Sequence, residues 1–181
     1  MSDTHRASSV RTHQRSSEHD FTPGSRQYAF LQSDLAAVDR SITPWLVVGM
    51  HRPAFNSAGD LDTEAGLIAV LEPLLLSAAV DLVISGHEHH MLRTLSMRNY
   101  TVDASGASPV YLTAGTGGAT YHNETINPTH NGALWTAALR HEWGFSVIEA
   151  FNRTAMRIAF HANADGGEVR DEAWILRPER V

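Results

Sequence analysis

Eleven histidines occur in 181 residues, and three of them stand where their side chains can act together. His51 closes Val48-Gly49-Met50-His51, while His87 and His89 belong to Gly86-His87-Glu88-His89. Each group directly follows a short apolar run, Trp45 to Met50 in one case and Asp81 to Ser85 in the other. Neutral imidazole is a common ligand of zinc, iron and other first-row metals. His-x-His spacing lets two rings approach one metal, or one each of two metals about 3.5–4 Å apart. A two-metal centre polarises a phosphate while a metal-bound hydroxide attacks phosphorus in line. A lone histidine at a strand end is commonly just a satisfied polar residue. Gly-His-x-His after one apolar run, with Val-x-x-His after another, is more specific.

The elements that must position these rings follow from the surrounding pattern. Continuous apolar runs bounded by turn signals suit strands buried on both faces. If the two strands are neighbours, all three imidazoles converge at one sheet edge, where open α/β sheets place their sites. Gly86 permits an unusual backbone at its strand end. Ser25 is a helix cap after the turn Thr22-Pro23-Gly24, and Tyr28, Leu31, Leu35 and Val38 recur near a 3.6 period. Thr63 is expected to cap a second helix through about Ser77, with Pro73 a kink or early stop. The first half therefore reads helix, strand, helix, strand, a layered α/β unit. Pro109 to Ala114 is a further strand, Gly115 to Gly118 a turn and Tyr121 to Asn131 an irregular loop. Gly144 to Phe151, Thr154 to His161 and Glu168 to Leu176 then read as a three-strand meander. Residues 1–17 are polar and read as a disordered tail.

Composition limits the function classes. The net charge of -6 argues against broad nucleic-acid binding. With no cysteine, disulfides, thiolate zinc sites and cysteine nucleophiles are excluded. All 14 basic residues are arginine. The longest apolar-leaning stretch, Leu67 to Val83, is interrupted by Glu72, Pro73 and Asp81, so no membrane span is expected. The N-terminal residues contain no apolar h-region, hence no signal peptide in this chain. Either the protein is not exported or its start lies upstream.

The two histidine motifs resemble the last two metal-binding motifs of calcineurin-like metallophosphoesterases. Further segments are similar to purple acid phosphatases in particular: Ser17 to Phe21, Pro23-Gly24-Ser25, Gln27-Tyr28 and Val38-Asp39-Arg40. Thr43 to Leu46, His51-Arg52-Pro53, Pro109-Val110-Tyr111 and Gly115 to Gly118 also resemble that family, as does the stretch from Gly144 to Ile175. The resemblance runs from about Ser16 to Arg177. It implies the C-terminal half of an αββα sandwich, an α/β (α+β) fold that ends in an antiparallel strand meander. It divides the chain into the tail 1–17, part of the metallophosphoesterase domain at 18–104 and a C-terminal β segment at 105–181.

The resemblance also implies hydrolysis of phosphate monoesters at a dinuclear centre, Fe(III) with Zn, Mn or Fe(II). His51 and His87 would bind the divalent ion and His89 the ferric ion. Arg52, beside His51, is a candidate phosphate donor. A secreted or vacuolar/lysosomal parent protein and a possible homodimer are expected, with a phosphate ester as the partner and neither nucleic acid nor membrane. The sequons at Asn99, Asn123 and Asn152 are glycosylation candidates. The family's first three motifs, Gly-Asp-x-Gly, Gly-Asp-x-x-Tyr and Gly-Asn-His-Glu or -Asp, are absent. Three neutral imidazoles leave two cations without anionic ligands, so this chain supplies only the histidine part of the site. A catalytically inactive truncated module and a mononuclear metal-binding protein are the alternatives.

Overall fold

Ser25 starts the first helix as its sequence suggests: its backbone is extended and its hydroxyl accepts the Tyr28 N–H at 3.1 Å. The computed structural model describes residues 10–15, 19–57, 61–120, 126 and 132–178. Helix α1 spans Arg26–Ala36 and α2 spans Leu61–Ser77. The second helix begins two residues before the expected cap, and Pro73 lies inside it. Proline removes one helical hydrogen bond, but Leu67, Ile68, Leu71, Leu74 and Leu75 bury their side chains around it. That apolar face outweighs the lost bond.

The strands form two sheets. In the larger, β1 (Val10–Arg15), β2 (Trp45–Met50), β3 (Leu82–Ser85) and β6 (Val110–Ala114) pair in parallel in that order. Strand β4 (Met91–Arg98) pairs antiparallel with β6, with β5 (Thr101–Val102) and with β7 (Thr136–Arg140). Asn99 and Tyr100, both at positive φ, make the two-residue β4–β5 turn. A four-residue helix α3, Gly132–Trp135, leads into β7. The smaller sheet is the meander expected from sequence, β8 (Gly144–Ala150), β9 (Ala155–Ala162) and β10 (Val169–Leu176), all antiparallel.

One sequence expectation needs correction. Residues 10–15, read as part of a disordered tail, pair along the whole of β2, from Val10↔Trp45 to Arg15↔Met50. A strand edge carries unpaired backbone donors and acceptors, and these six residues satisfy them. Strands β6 and β7, which follow residue 104, both belong to the larger sheet. Strand β3 needs a partner on its far side, and β6 provides it.

Period-2 alternation splits the apolar residues of β2 between two layers. Leu46, Val48 and Met50 join α1 and α2 in one core; Trp45 and Val47 join Met156, Ile158, Phe160 and Ile175 of the smaller sheet in another. The layers are thus helices, sheet, sheet. Arg93 on β4 holds Asp171 on β10 through two bonds, 2.7 and 2.9 Å, and so ties the sheets together. Asp81, with no exposed side-chain surface, accepts from the Leu46 N–H and from both Arg40 and Arg177.

Candidate metal centre

Strand register brings the two histidine loops together. Val47, Val48 and Gly49 lie opposite Leu82, Val83 and Ile84. The same register carried on puts His51 opposite Gly86, and the Gly86 N–H donates to the His51 carbonyl at 2.9 Å. His87 then adopts φ +66, in the left-handed region. Histidine enters that region more readily than most residues, though at a cost. The turn sends its ring back across the edge. His87 Nδ1 lies 3.1 Å from His51 Nε2, with ring centroids 5.0 Å apart and planes at 79°. His51 is exposed and His87 half-buried.

The end of β6 closes the other side. The Gly115 N–H donates to the His90 carbonyl at 3.0 Å. A Cβ at 115 would stand 1.8 Å from the Glu88 carbonyl oxygen, so only glycine lets this turn approach the histidine loop. Beyond it, the Thr120 carbonyl lies 2.9 Å from His89 Nδ1. A carbonyl only accepts, so Nδ1 carries the proton and Nε2 keeps its lone pair in the neutral ring. Metal-binding histidines are commonly oriented by such a bond from the second nitrogen.

The structure therefore joins His51 to His87 and gives His89 a separate anchor. Among the described residues, no cluster of three or more His, Asp or Glu side chains is placed to hold a metal ion. Of the three imidazoles expected to meet, His51 and His87 are in direct contact, and His89 is held at Nδ1 by the Thr120 carbonyl. The donor set still suits a cation. Two nitrogens about 2.0–2.1 Å from one tetrahedral metal would sit about 3.3 Å apart. The observed 3.1 Å is close to that separation.

Arg52 is half-buried at the start of the loop after β2. His90 is buried at 1% exposure, its ring edge-on to His141 at 5.9 Å. His161 bonds the Gly167 carbonyl and stacks on Phe145. Asn99 is exposed in the β4–β5 turn. Asn152 Oδ1 accepts from Thr154 N, Thr154 Oγ1 and Ala155 N, so it builds the β8–β9 turn. Asn123 lies outside the described residues. Sequence reasoning missed Thr120, whose role is carried by a backbone oxygen that no side-chain type announces. Gly115 was marked only as part of a turn; its closeness to Glu88 needs the fold.

Residues 108–172 match the family model described as iron/zinc purple acid phosphatase-like protein C. Purple acid phosphatase 18 of Arabidopsis thaliana is 34% identical over 86% of this chain, which spans 36% of that relative. Purple acid phosphatase 1 of Ipomoea batatas is 33% identical over 89% of the chain, again spanning 36% of the relative. The chain belongs with the purple acid phosphatases, matching their C-terminal part. A solved family member, the purple acid phosphatase PPD1 from yellow lupin (Lupinus luteus) seeds, superposes with a TM-score of 0.78. The superposition covers 93% of this chain and 31% of that one, at 24% identity, and shows a shared fold. The chain thus spans little more than a third of the family members it matches. Among the described residues, no helix is long and apolar enough to cross a membrane.

Proposed function

We propose that this chain supplies the histidine part of a dinuclear metal centre for hydrolysing phosphate monoesters. The observation that carries the reading is the 3.1 Å approach of His51 Nε2 to His87 Nδ1, at the C-terminal edge of adjacent parallel strands. One of the two nitrogens carries the proton of the present hydrogen bond; with that proton released, both would donate to a single divalent zinc, manganese or iron ion. His89 would serve the ferric ion through Nε2, its ring held by the Thr120 carbonyl. When bound, the metals would neutralise phosphate oxygens and supply hydroxide near neutral pH. Arg52 is the candidate for a charged hydrogen bond to the ester. The anionic ligands that two cations require lie outside this sequence, in a longer chain or a partner.

A mononuclear site centred on His51 and His87 is the second reading, favoured by the direct approach of those two rings. Metal titration of the purified chain separates the two. Wild type is expected to take up zinc, weakening on acidification as protons compete for imidazole. His87→Ala and His51→Ala should each lose most of that affinity, while His89→Ala should lose it only if a second metal binds. Uptake unchanged by His87→Ala would sink both readings. Turnover of p-nitrophenyl phosphate is expected only when the carboxylate-bearing segment is present. Turnover by this chain alone, abolished in His87→Ala, would refute the claim that its site is partial.

A further inference from the structure

The support of His89 extends one step past Thr120. The segment from Gly115 to Thr120 leaves β6 and meets the start of β8. There the Thr116 hydroxyl, on a buried residue, donates to the Gly144 carbonyl at 3.0 Å. The Gly144 N–H donates back to the Thr116 carbonyl at 3.3 Å. Next to Gly144, the Trp143 Nε1–H donates to the Ala119 carbonyl at 3.2 Å. The following carbonyl, that of Thr120, is the one that meets His89 Nδ1. Trp143 is fixed in turn from its other side, where the Asn163 N–H donates to its carbonyl at 2.8 Å. Half of its surface is exposed and it belongs to neither apolar core, so core packing gives no reason for an indole here. Between the Thr116 and Ala119 attachments lie Gly117 and Gly118, the second at φ +122. Glycine restrains its own backbone least, so the Ala119–Thr120 peptide takes its place from what binds it.

We propose that Trp143 is a positioning residue for His89. Its indole N–H fixes the Ala119 carbonyl, and the adjoining Thr120 carbonyl is thereby presented to the His89 ring. That keeps the proton on Nδ1 and the lone pair on Nε2. Which imidazole nitrogen is protonated is set by the hydrogen bond the other makes. With the Thr120 carbonyl displaced, the neutral ring would carry its proton on either nitrogen. A proton on Nε2 would occupy the lone pair offered to the ferric ion. The consequence for metal binding rests on the proposed role of His89; the effect on the ring itself needs no metal.

The test reads which nitrogen of His89 holds the proton, by proton–nitrogen correlation spectra of the isotope-labelled chain at about pH 8, where imidazole is neutral. His89→Gln assigns the signals. Wild type should show His89 protonated on Nδ1. Trp143→Phe keeps the aromatic bulk and removes the donor; it should shift His89 to a mixture of both tautomers, at a thermal midpoint close to that of wild type. Trp174→Phe makes the same change at another exposed indole, whose N–H meets Glu172, and should leave His89 as in wild type. A wild-type tautomer in Trp143→Phe, an Nε2-protonated His89 in wild type, or the same shift in Trp174→Phe would each overturn the proposal. Failure of the dinuclear reading would show elsewhere, as no second zinc equivalent bound by wild type once the carboxylate-bearing segment is supplied.

Discussion

Replacing Gly115 by alanine should damage the histidine edge without touching a histidine. The added Cβ would stand 1.8 Å from the Glu88 carbonyl oxygen, 2.8 Å from its carbon and 3.2 Å from His89 Cα. Ordinary contact begins near 3.4 Å, so the Glu88 peptide must retreat by about 1.6 Å. All the clashing atoms are backbone, so no side chain can rotate away. Such overpacking costs about 1–3 kcal/mol. For a domain of this size each kcal/mol lowers the midpoint by roughly 2–4 °C, giving a total drop of roughly 2–12 °C. His87 and His89 flank Glu88, so the same retreat displaces both rings. Displaced ligand supports typically cost about 10–100-fold in metal affinity. Gly117→Ala is the control, since nothing lies within 4 Å of a Cβ there; it should change stability by less than about 0.5 kcal/mol. The assays are thermal unfolding and zinc titration against a competing chelator. Wild-type stability in Gly115→Ala would refute the packing argument. Lost stability with unchanged zinc affinity would refute the link from Gly115 to the proposed metal ligands.

Two other expectations concern the scaffold. Asp81→Asn leaves Arg40 and Arg177 without their shared carboxylate in a buried place, and should cost about 3–5 kcal/mol in urea unfolding; a loss below 1 kcal/mol would mean the cluster does not hold the layers. Asp103 is held below the usual carboxylate range by hydrogen bonds from the Ser105 and Ser108 side chains and backbones. A depressed carboxyl contributes stability above its unfolded pKa and loses it as pH falls toward the folded value. Asp103→Asn should therefore be less stable than wild type at pH 7, with the gap closing on acidification below pH 4. A gap that widens at low pH would contradict the assignment.

The strands bearing the histidines were legible because they are short, apolar and bounded by turn residues; Trp45–Met50 matched to the residue. The Ser25 cap and the three-strand meander were legible for the same local reasons. What escaped was non-local. Met91–Arg98 reads as neither helix nor strand in isolation, since Arg93, Ser96 and Arg98 interrupt its apolar residues. It becomes a strand because β6, β5 and β7 all pair with it. Val10–Arg15 carries almost no apolar signal, and only the open edge of β2 makes it a strand. The placement of His87 near His51 was readable from motif and strand order. The left-handed backbone that completes it was not, because no rule of composition assigns φ +66 to a histidine.

That backbone bears on what limits the proposed centre. His87 at positive φ is flanked by two close backbone contacts, the Gly86 N–H to the His51 carbonyl and Gly115 against Glu88. A strained residue persists only where its surroundings fix it. Strand pairing and glycine packing thus set the backbone from which the two nitrogens make their 3.1 Å approach. Placement is already supplied, and what neutral imidazoles cannot supply is negative charge. On the proposed reading, metal affinity in this chain is limited by charge rather than by geometry. A carboxylate introduced beside the pair should then strengthen binding more than any change that further stiffens the loops.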